Sequence, residues 1–187
     1  MLVKRVMSKN VVSVSVPGNR EKVLDLMRKE DKAVLPVVKG DTKQLVGLIT
    51  RSDLIVNPDE EQIAILMSTD LVTASPDDDV ADVAKKMIDN NVRRVPVVDD
   101  NGDLVGIITS FDLVSNALIK LESDDPVENF MITTVPTTWY KTPLNVAFET
   151  MKQFGLKSVL ALNDSAKLVG ILTETDFIEE SEIISER

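Results

Sequence analysis

The sequence predicts an α/β (α+β) fold made of three tandem units, each running strand, helix, strand, strand, helix, and three observations carry that prediction. The string Gly-apolar-apolar-Thr-x-x-Asp stands at residues 47–53, 106–112 and 170–176. Its glycines, Gly47, Gly106 and Gly170, are 59 and 64 residues apart, which is the period of a supersecondary unit. A β-branched apolar run precedes every copy and a helix-like run follows it.

The first helix of each unit is read from apolar residues at 3.6-residue spacing. Unit two places Val80, Val83, Ala84, Met87 and Ile88 on one face, and unit three repeats this with Leu144, Ala147, Phe148 and Met151. Unit one is looser, with Val23, Leu24 and Met27. Two short strands follow, at 34–38 and 45–49, 95–98 and 104–108, and 158–162 and 168–172. The turns Gly40-Asp41 and Asn101-Gly102 mark the first two pairs as hairpins. Pro36 and Pro96 cannot donate to a ladder, which predicts that their strands lie at a sheet edge or begin there; Leu160 holds the matching place in unit three. A second helix after each motif is clearest in Leu113, Val114, Ala117, Leu118 and Leu121. A unit of this size buries only roughly 60% of its unfolded surface, so the units are expected to pack in pairs. The boundaries predicted are 1–57, 62–121 and 126–187, with polar connections at residues 57–61 and 122–126.

Composition narrows the chemistry. The 187 residues are 43% apolar with no run long enough to span a bilayer, and neither a secretory leader nor a cysteine is present, so a cytoplasmic protein without disulfides is expected. Histidine is absent as well, which removes the usual general bases, thiol nucleophiles and soft metal ligands. A net charge of −10 without a basic stripe excludes nucleic acid and leaves room for a small anion held by local cations. The dense acidic stretches Asp77-Asp78-Asp79, 122–125 and 174–186 read as solvated surface.

Thr-x-x-Asp is, at its plainest, a capping box worth about 1 kcal/mol. Capping leaves the glycine unexplained, since glycine weakens a strand and marks a bulge or a close approach by another group. A nucleotide site accounts for both: the strand-to-helix junction offers N–H groups and a hydroxyl to phosphate, and the carboxylate accepts both bonds of a ribose diol.

These residues resemble cystathionine-β-synthase (CBS) domains over nearly the whole chain: a Met-led opening (Met7, Met67, Met131), an amphipathic helix, a Pro-Val-Val strand, then the Gly-to-Asp motif. The resemblance implies that repeats pair through their sheets into a module with two clefts that bind adenosine derivatives. It nominates Asp53, Asp112 and Asp176 for ribose, and Thr50, Thr109 and Thr173 for phosphate. Ser13, Thr73 and Thr137 are nominated from the first strands, which would line the adenine pocket. Cations ahead of the Pro-Val-Val strand would hold phosphates: Arg93 and Arg94 in unit two, Lys157 in unit three, and none at Ala33-Val34 in unit one. Alternation along a strand turns only one of Arg93 and Arg94 into a given cleft. The competing role for that pair is surface ion pairing. Trp139 and Tyr140 are expected in core or interface and are left off the site.

The chain resembles the first three repeats of four-repeat archaeal CBS proteins, and the odd repeat implies a homodimer through third repeats or a fourth repeat lost. The function expected is a regulatory module, not an enzyme and without a cofactor, that binds AMP, ADP, ATP or S-adenosylmethionine and signals to an unnamed partner protein by repacking its repeats. The alternatives are a structural or interaction protein whose motifs only cap helices, and a Mg-dependent nucleotide hydrolase.

Overall fold

Every repeat folds around an antiparallel hairpin whose second strand ends on the motif threonine. The computed structural model describes residues 1–57, 59–118, 126–174 and 176–177, except for the side chains of Ile55, Val56, Ala117 and Leu118, and divides into two units, Met1–Ser123 and Asp124–Arg187. Leu121, Thr175, the connection at 122–125 and the tail from 178 onward lie outside the described residues.

In the first unit, repeat one contributes β1 (Val14–Val16), α1 (Arg20–Lys29), β2 (Val34–Lys39), β3 (Leu45–Thr50) and α2 (Arg51–Val56). Repeat two contributes α3 (Ile63–Leu66), α4 (Val80–Asp89), β4 (Arg94–Val98), β5 (Leu104–Thr109) and α5 (Ser110–Leu118). The second unit holds β6 (Thr137–Trp139), α6 (Leu144–Phe154), β7 (Ser158–Leu162) and β8 (Leu168–Thr173). The sheets run β1-β2-β3, β4-β5 and β6-β7-β8, and each hairpin carries a register shift at the equivalent pair, Val37/Val38, Val97/Val98 and Ala161/Leu162.

β2 is the central strand of its sheet, not an edge. Pro36 is tolerated there because the parallel pairing with β1 begins one residue later, at Val14↔Val37. Repeat three shows what the proline removes: Leu160, in the same place, donates its N–H to the Pro136 carbonyl at 3.0 Å.

The first helices bury the predicted stripe in part. Val23, Met27, Val83, Met87, Ala147 and Met151 are buried, but Ile88 is 78% exposed and Leu144 and Phe148 stand at the surface. Ile88 lies one turn beyond Ala84, on the exposed flank of the stripe. After each of these helices the chain turns through a left-handed residue, Asp31, Asn91 or Gly155, with φ of 49°, 52° and 62°. Only the last needs no Cβ. Gly155→Ala is therefore expected to destabilise the second unit by about 1–2 kcal/mol in a urea melt.

The two repeats of the first unit trade their opening segments. Val3, from the start of repeat one, is completely buried in the core formed by Ala74, Val83, Met87, Val95, Val97, Ile108 and Leu113 of repeat two. Reciprocally, Ile63 and Leu66 close the core of Val23, Met27, Leu35, Val37, Ile49 and Leu54 in repeat one. Antiparallel backbone pairs fix the exchange: Ser8 with Ile107, and Ser68 with Leu48, each joined by two N–H···O bonds of 2.8–3.0 Å. The motif glycines make it possible. A Cβ on Gly47 would sit 2.5 Å from Met67 Sδ and 3.1 Å from the Ser68 carbonyl, and one on Gly106 would sit 2.5 Å from Met7 Sδ and 3.1 Å from the Ser8 carbonyl.

The acidic run 77–79 is part of this docking, not idle surface. Asp79 caps α4 through Ala81 N–H, the Asp78 carbonyl accepts from Val3 N–H at 3.0 Å, and the Asp77 carboxylate meets Lys4 Nζ at 2.6 Å. Burial works against ionisation of the Asp78 carboxyl, but Lys86 Nζ at 3.0 Å and Ser75 N–H at 3.2 Å outweigh it and hold its pKa below the ordinary carboxylate value.

Candidate functional site

In all three repeats the motif threonine donates twice to one oxygen of the motif aspartate, and in repeats one and two the aspartate N–H donates back. Thr50 donates its N–H and its hydroxyl to Asp53 Oδ2, both at 2.8 Å, and Asp53 N–H donates back to Thr50 Oγ1 at 3.2 Å. Thr109 and Asp112 repeat this at 2.8, 2.6 and 3.2 Å, and Thr173 donates to Asp176 Oδ2 at 2.7 and 2.8 Å. The capping box is thus real. It also limits chemistry: the hydroxyl proton is committed to the aspartate, so the threonine has only lone pairs to offer, whereas Oδ1 of each aspartate keeps its lone pairs with no partner among the described residues. The first helical N–H is committed too, since Arg51, Ser110 and Glu174 donate to the carbonyls of Ala33, Arg93 and Lys157.

One motif faces a cleft of about 280 Å³ between the two repeats of the first unit. Thr109, Ile107 and Arg94 of repeat two form one wall, and Ser8, the residues 10–12 and residues 31–36 of repeat one form the other. Of the arginine pair, Arg94 lines the cleft and Arg93 does not, as the strand alternation predicts. Neither makes an ion pair among the described residues. Asp112 sits behind Thr109, hydrogen-bonded to it, and is not itself on the wall.

The other predicted residues separate. Ser13 lines a smaller cleft of about 180 Å³ with Lys9, Lys43 and Leu104. The Thr73 carbonyl accepts from Lys86 Nζ at 3.4 Å. Thr137 lines an apolar hollow of about 440 Å³ in the second unit with Pro136, Ala147, Phe154, Leu156 and Val159. Lys157 is paired with Glu174 at 2.9 Å. Trp139 and Tyr140 are half exposed and therefore not core; their rings meet edge to face at 5.6 Å, and Trp139 Nε1 donates to Asp164 Oδ1 at 2.8 Å.

Sequence reasoning missed Lys32. It precedes Ala33-Val34, the pair that made repeat one look bare of cations, and it lines the same cleft as Arg94. Its position two residues ahead of β2 was the available signal. Asn10, Val11 and Val12 were also missed, although they precede Ser13 in the segment expected to reach adenine. Among the described residues no group of three carboxylates converges as a metal-dependent hydrolase requires, and no helix is long and apolar enough to cross a membrane.

The CBS domain model matches residues 3–58, 61–118 and 127–182. The chain belongs to the CBS domain family. Protein MJ1225 from Methanocaldococcus jannaschii has the same fold, with a TM-score of 0.85 at 22% identity over 96% of this chain and 72% of that one. The CBS domain pair of protein MJ0100, solved with 5′-methylthioadenosine and S-adenosyl-L-methionine, is similar at TM-score 0.59 and 32% identity over 65% of this chain and 98% of its own. CBSX2 from Arabidopsis thaliana, solved with AMP, is similar at TM-score 0.58 and 25% identity over 64% of this chain and 98% of its own. The chain spans less than half the length of the first curated relatives it matches. The CBS repeat explains why the site is shared: because the repeats trade their openings, Met7 and Met67 each seat on the motif glycine of the other repeat, and residues 10–12 face Thr109.

Proposed function

We propose that this chain is a regulatory CBS module, without catalysis of its own, that binds an adenosine phosphate between its first two repeats and transmits occupancy to another protein. The reading includes a cytoplasmic homodimer. The observation that carries it is the cleft in which Arg94 and Thr109 stand opposite Lys32 and the residues 10–12. Two cations from different repeats, on an otherwise acidic chain, favour a phosphate that bridges them. Val12 supplies the complementary feature. Pro36 has no N–H to give its carbonyl, so an adenine amino group can take the place of the bond that Leu160 makes in repeat three. A ribose diol that reaches past Thr109 then meets the Asp112 carboxylate, whose Oδ1 accepts from it while Thr109 holds the other oxygen. The neighbours solved with AMP and with S-adenosyl compounds support the adenosine class.

Arg94→Ala is expected to weaken AMP by roughly 10- to 100-fold, the loss of a charge-assisted contact of about 1.5–3 kcal/mol, while leaving adenosine within about twofold and Arg93→Ala nearly silent. Titration calorimetry with AMP and adenosine reads this directly. Equal loss of both ligands would reject the phosphate assignment. No thermal shift of the wild type with either would favour the reading in which the motifs only cap helices.

A further inference from the structure

Charge is unevenly divided along this chain. Residues 1–57 hold 11 of its 21 Lys and Arg but only 6 of its 31 Asp and Glu, so repeat one is basic while the remainder is strongly acidic. Part of that excess lines the cleft of about 180 Å³ at the turn end of the β2-β3 hairpin, where Lys9, Ser13, Thr42 and Lys43 surround Val11 and Leu104. Among the described residues no carboxylate is on its wall, although Asp41 and Asp103 lie beside it in sequence. Neither lysine makes an ion pair among the described residues. Two ammonium groups that share a small cleft repel each other, so an anion between them relieves both. The repeat fold does not call for this pair. In repeat two the matching positions are Thr69 and Gly102, and the turn there carries three aspartates, Asp99, Asp100 and Asp103, and no cation.

We propose that this cleft is an oxyanion site for a single phosphate, held by Lys9, Lys43 and the Ser13 hydroxyl and separate from the nucleotide cleft. Its frame is set by both repeats. The two hairpin turns are tied together by Leu45 N–H on the Gly102 carbonyl at 3.1 Å and by Leu104 N–H on the Lys43 carbonyl at 2.8 Å. Within the first turn, Thr42 Oγ1 donates to the Lys39 carbonyl and accepts from Gln44 N–H at 3.2 Å. The Thr42 proton is therefore committed, whereas Ser13 has no side-chain partner among the described residues and keeps its hydroxyl for a ligand. The opening segment of repeat one is the partition between the clefts. Ser8, Asn10 and Val12 line the larger one, Lys9 and Ser13 the smaller, and Val11 both. A phosphate on Lys9 and Lys43 is thus walled off from Arg94 and Lys32. With about 180 Å³ against 280 Å³, and with two ammonium groups on its wall, the smaller cleft suits a compact phosphate, free or at the end of a small ester, in place of a nucleoside.

Inorganic phosphate titrated into the full chain, with chloride at matched ionic strength as the control, is expected to shift the amide NMR resonances of Lys9, Ser13 and Lys43 with half-saturation at about 1 mM. Lys9→Ala with Lys43→Ala should weaken that response at least about tenfold, and Lys9→Arg with Lys43→Arg should restore most of it. Arg94→Ala should leave it in place. Glycerol phosphate that shifts the same amides identifies the end of a phosphomonoester, and its failure to do so identifies free phosphate; both keep the site. Equal shifts with chloride reduce the lysines to a screened surface and overturn it. A response lost with Arg94→Ala and kept without the two lysines overturns it as well, because the phosphate then sits in the nucleotide cleft, and that outcome leaves the AMP reading standing.

Discussion

Ile63→Ala should cost the unit Met1–Ser123 about 2–5 kcal/mol, enough to remove much of the stability of an ordinary domain. The residue is wholly buried among Val23, Met27, Leu35, Val37, Ile49 and Leu54, so truncation leaves a hole that the rigid hairpin β2-β3 cannot collapse to fill. Its neighbour Ile65, 64% exposed, is the control, and Ile65→Ala should stay within about 0.5 kcal/mol. The size of the loss is ordinary for a core isoleucine; its location is the test. Ile63 belongs by sequence to repeat two, yet the core it leaves belongs to repeat one. Urea unfolding followed by hydrogen exchange should show protection lost first in β2 and β3. Loss confined to β4 and β5 would contradict the exchanged packing.

Asp112→Ala should have the largest effect on binding. If Oδ1 accepts from the ribose diol, two hydrogen bonds to a charged group disappear, each worth about 1.5–3 kcal/mol, and AMP should weaken by at least about 100-fold. The same change removes the capping box of α5 and should cost about 1 kcal/mol of stability, so binding is to be measured at a temperature where the variant remains folded. Asp53→Ala removes an equivalent cap and serves as the comparison. Equal damage to AMP binding by both variants would mean that the aspartates act through stability alone.

The architecture was legible because repetition multiplies weak signals: a capping box, a β-branched run and a helical stripe are each common, but their order recurred at residues 47–53, 106–112 and 170–176. The conflict between glycine and strand at Gly47 and Gly106 also announced a close approach, and Met67 and Met7 are what approaches. The exchange itself left no local trace, since the residues that meet, such as Val3 and Ile108, are far apart in sequence and periodicity reports only neighbours. The same blindness hid Lys32, whose relevance depends on Arg94 arriving from the other repeat. Pro36 misled for a different reason: its missing donor points to a sheet edge only if both neighbours run its full length, and β1 stops short of it. The helical stripe over-predicted burial at Ile88, Leu144 and Phe148 because a 3.6-residue pattern specifies a face, not how far the opposing sheet extends.

Because the residue that seals the first core lies beyond the hairpin it completes, that core cannot shut until the segment carrying Ile63 has been made. A chain holding only the first repeat therefore has an unfilled hole among Val23, Met27 and Leu35 until the next segment is present. Closure of the first repeat is accordingly tied to the arrival of the second, whose opening carries the residues that plug it.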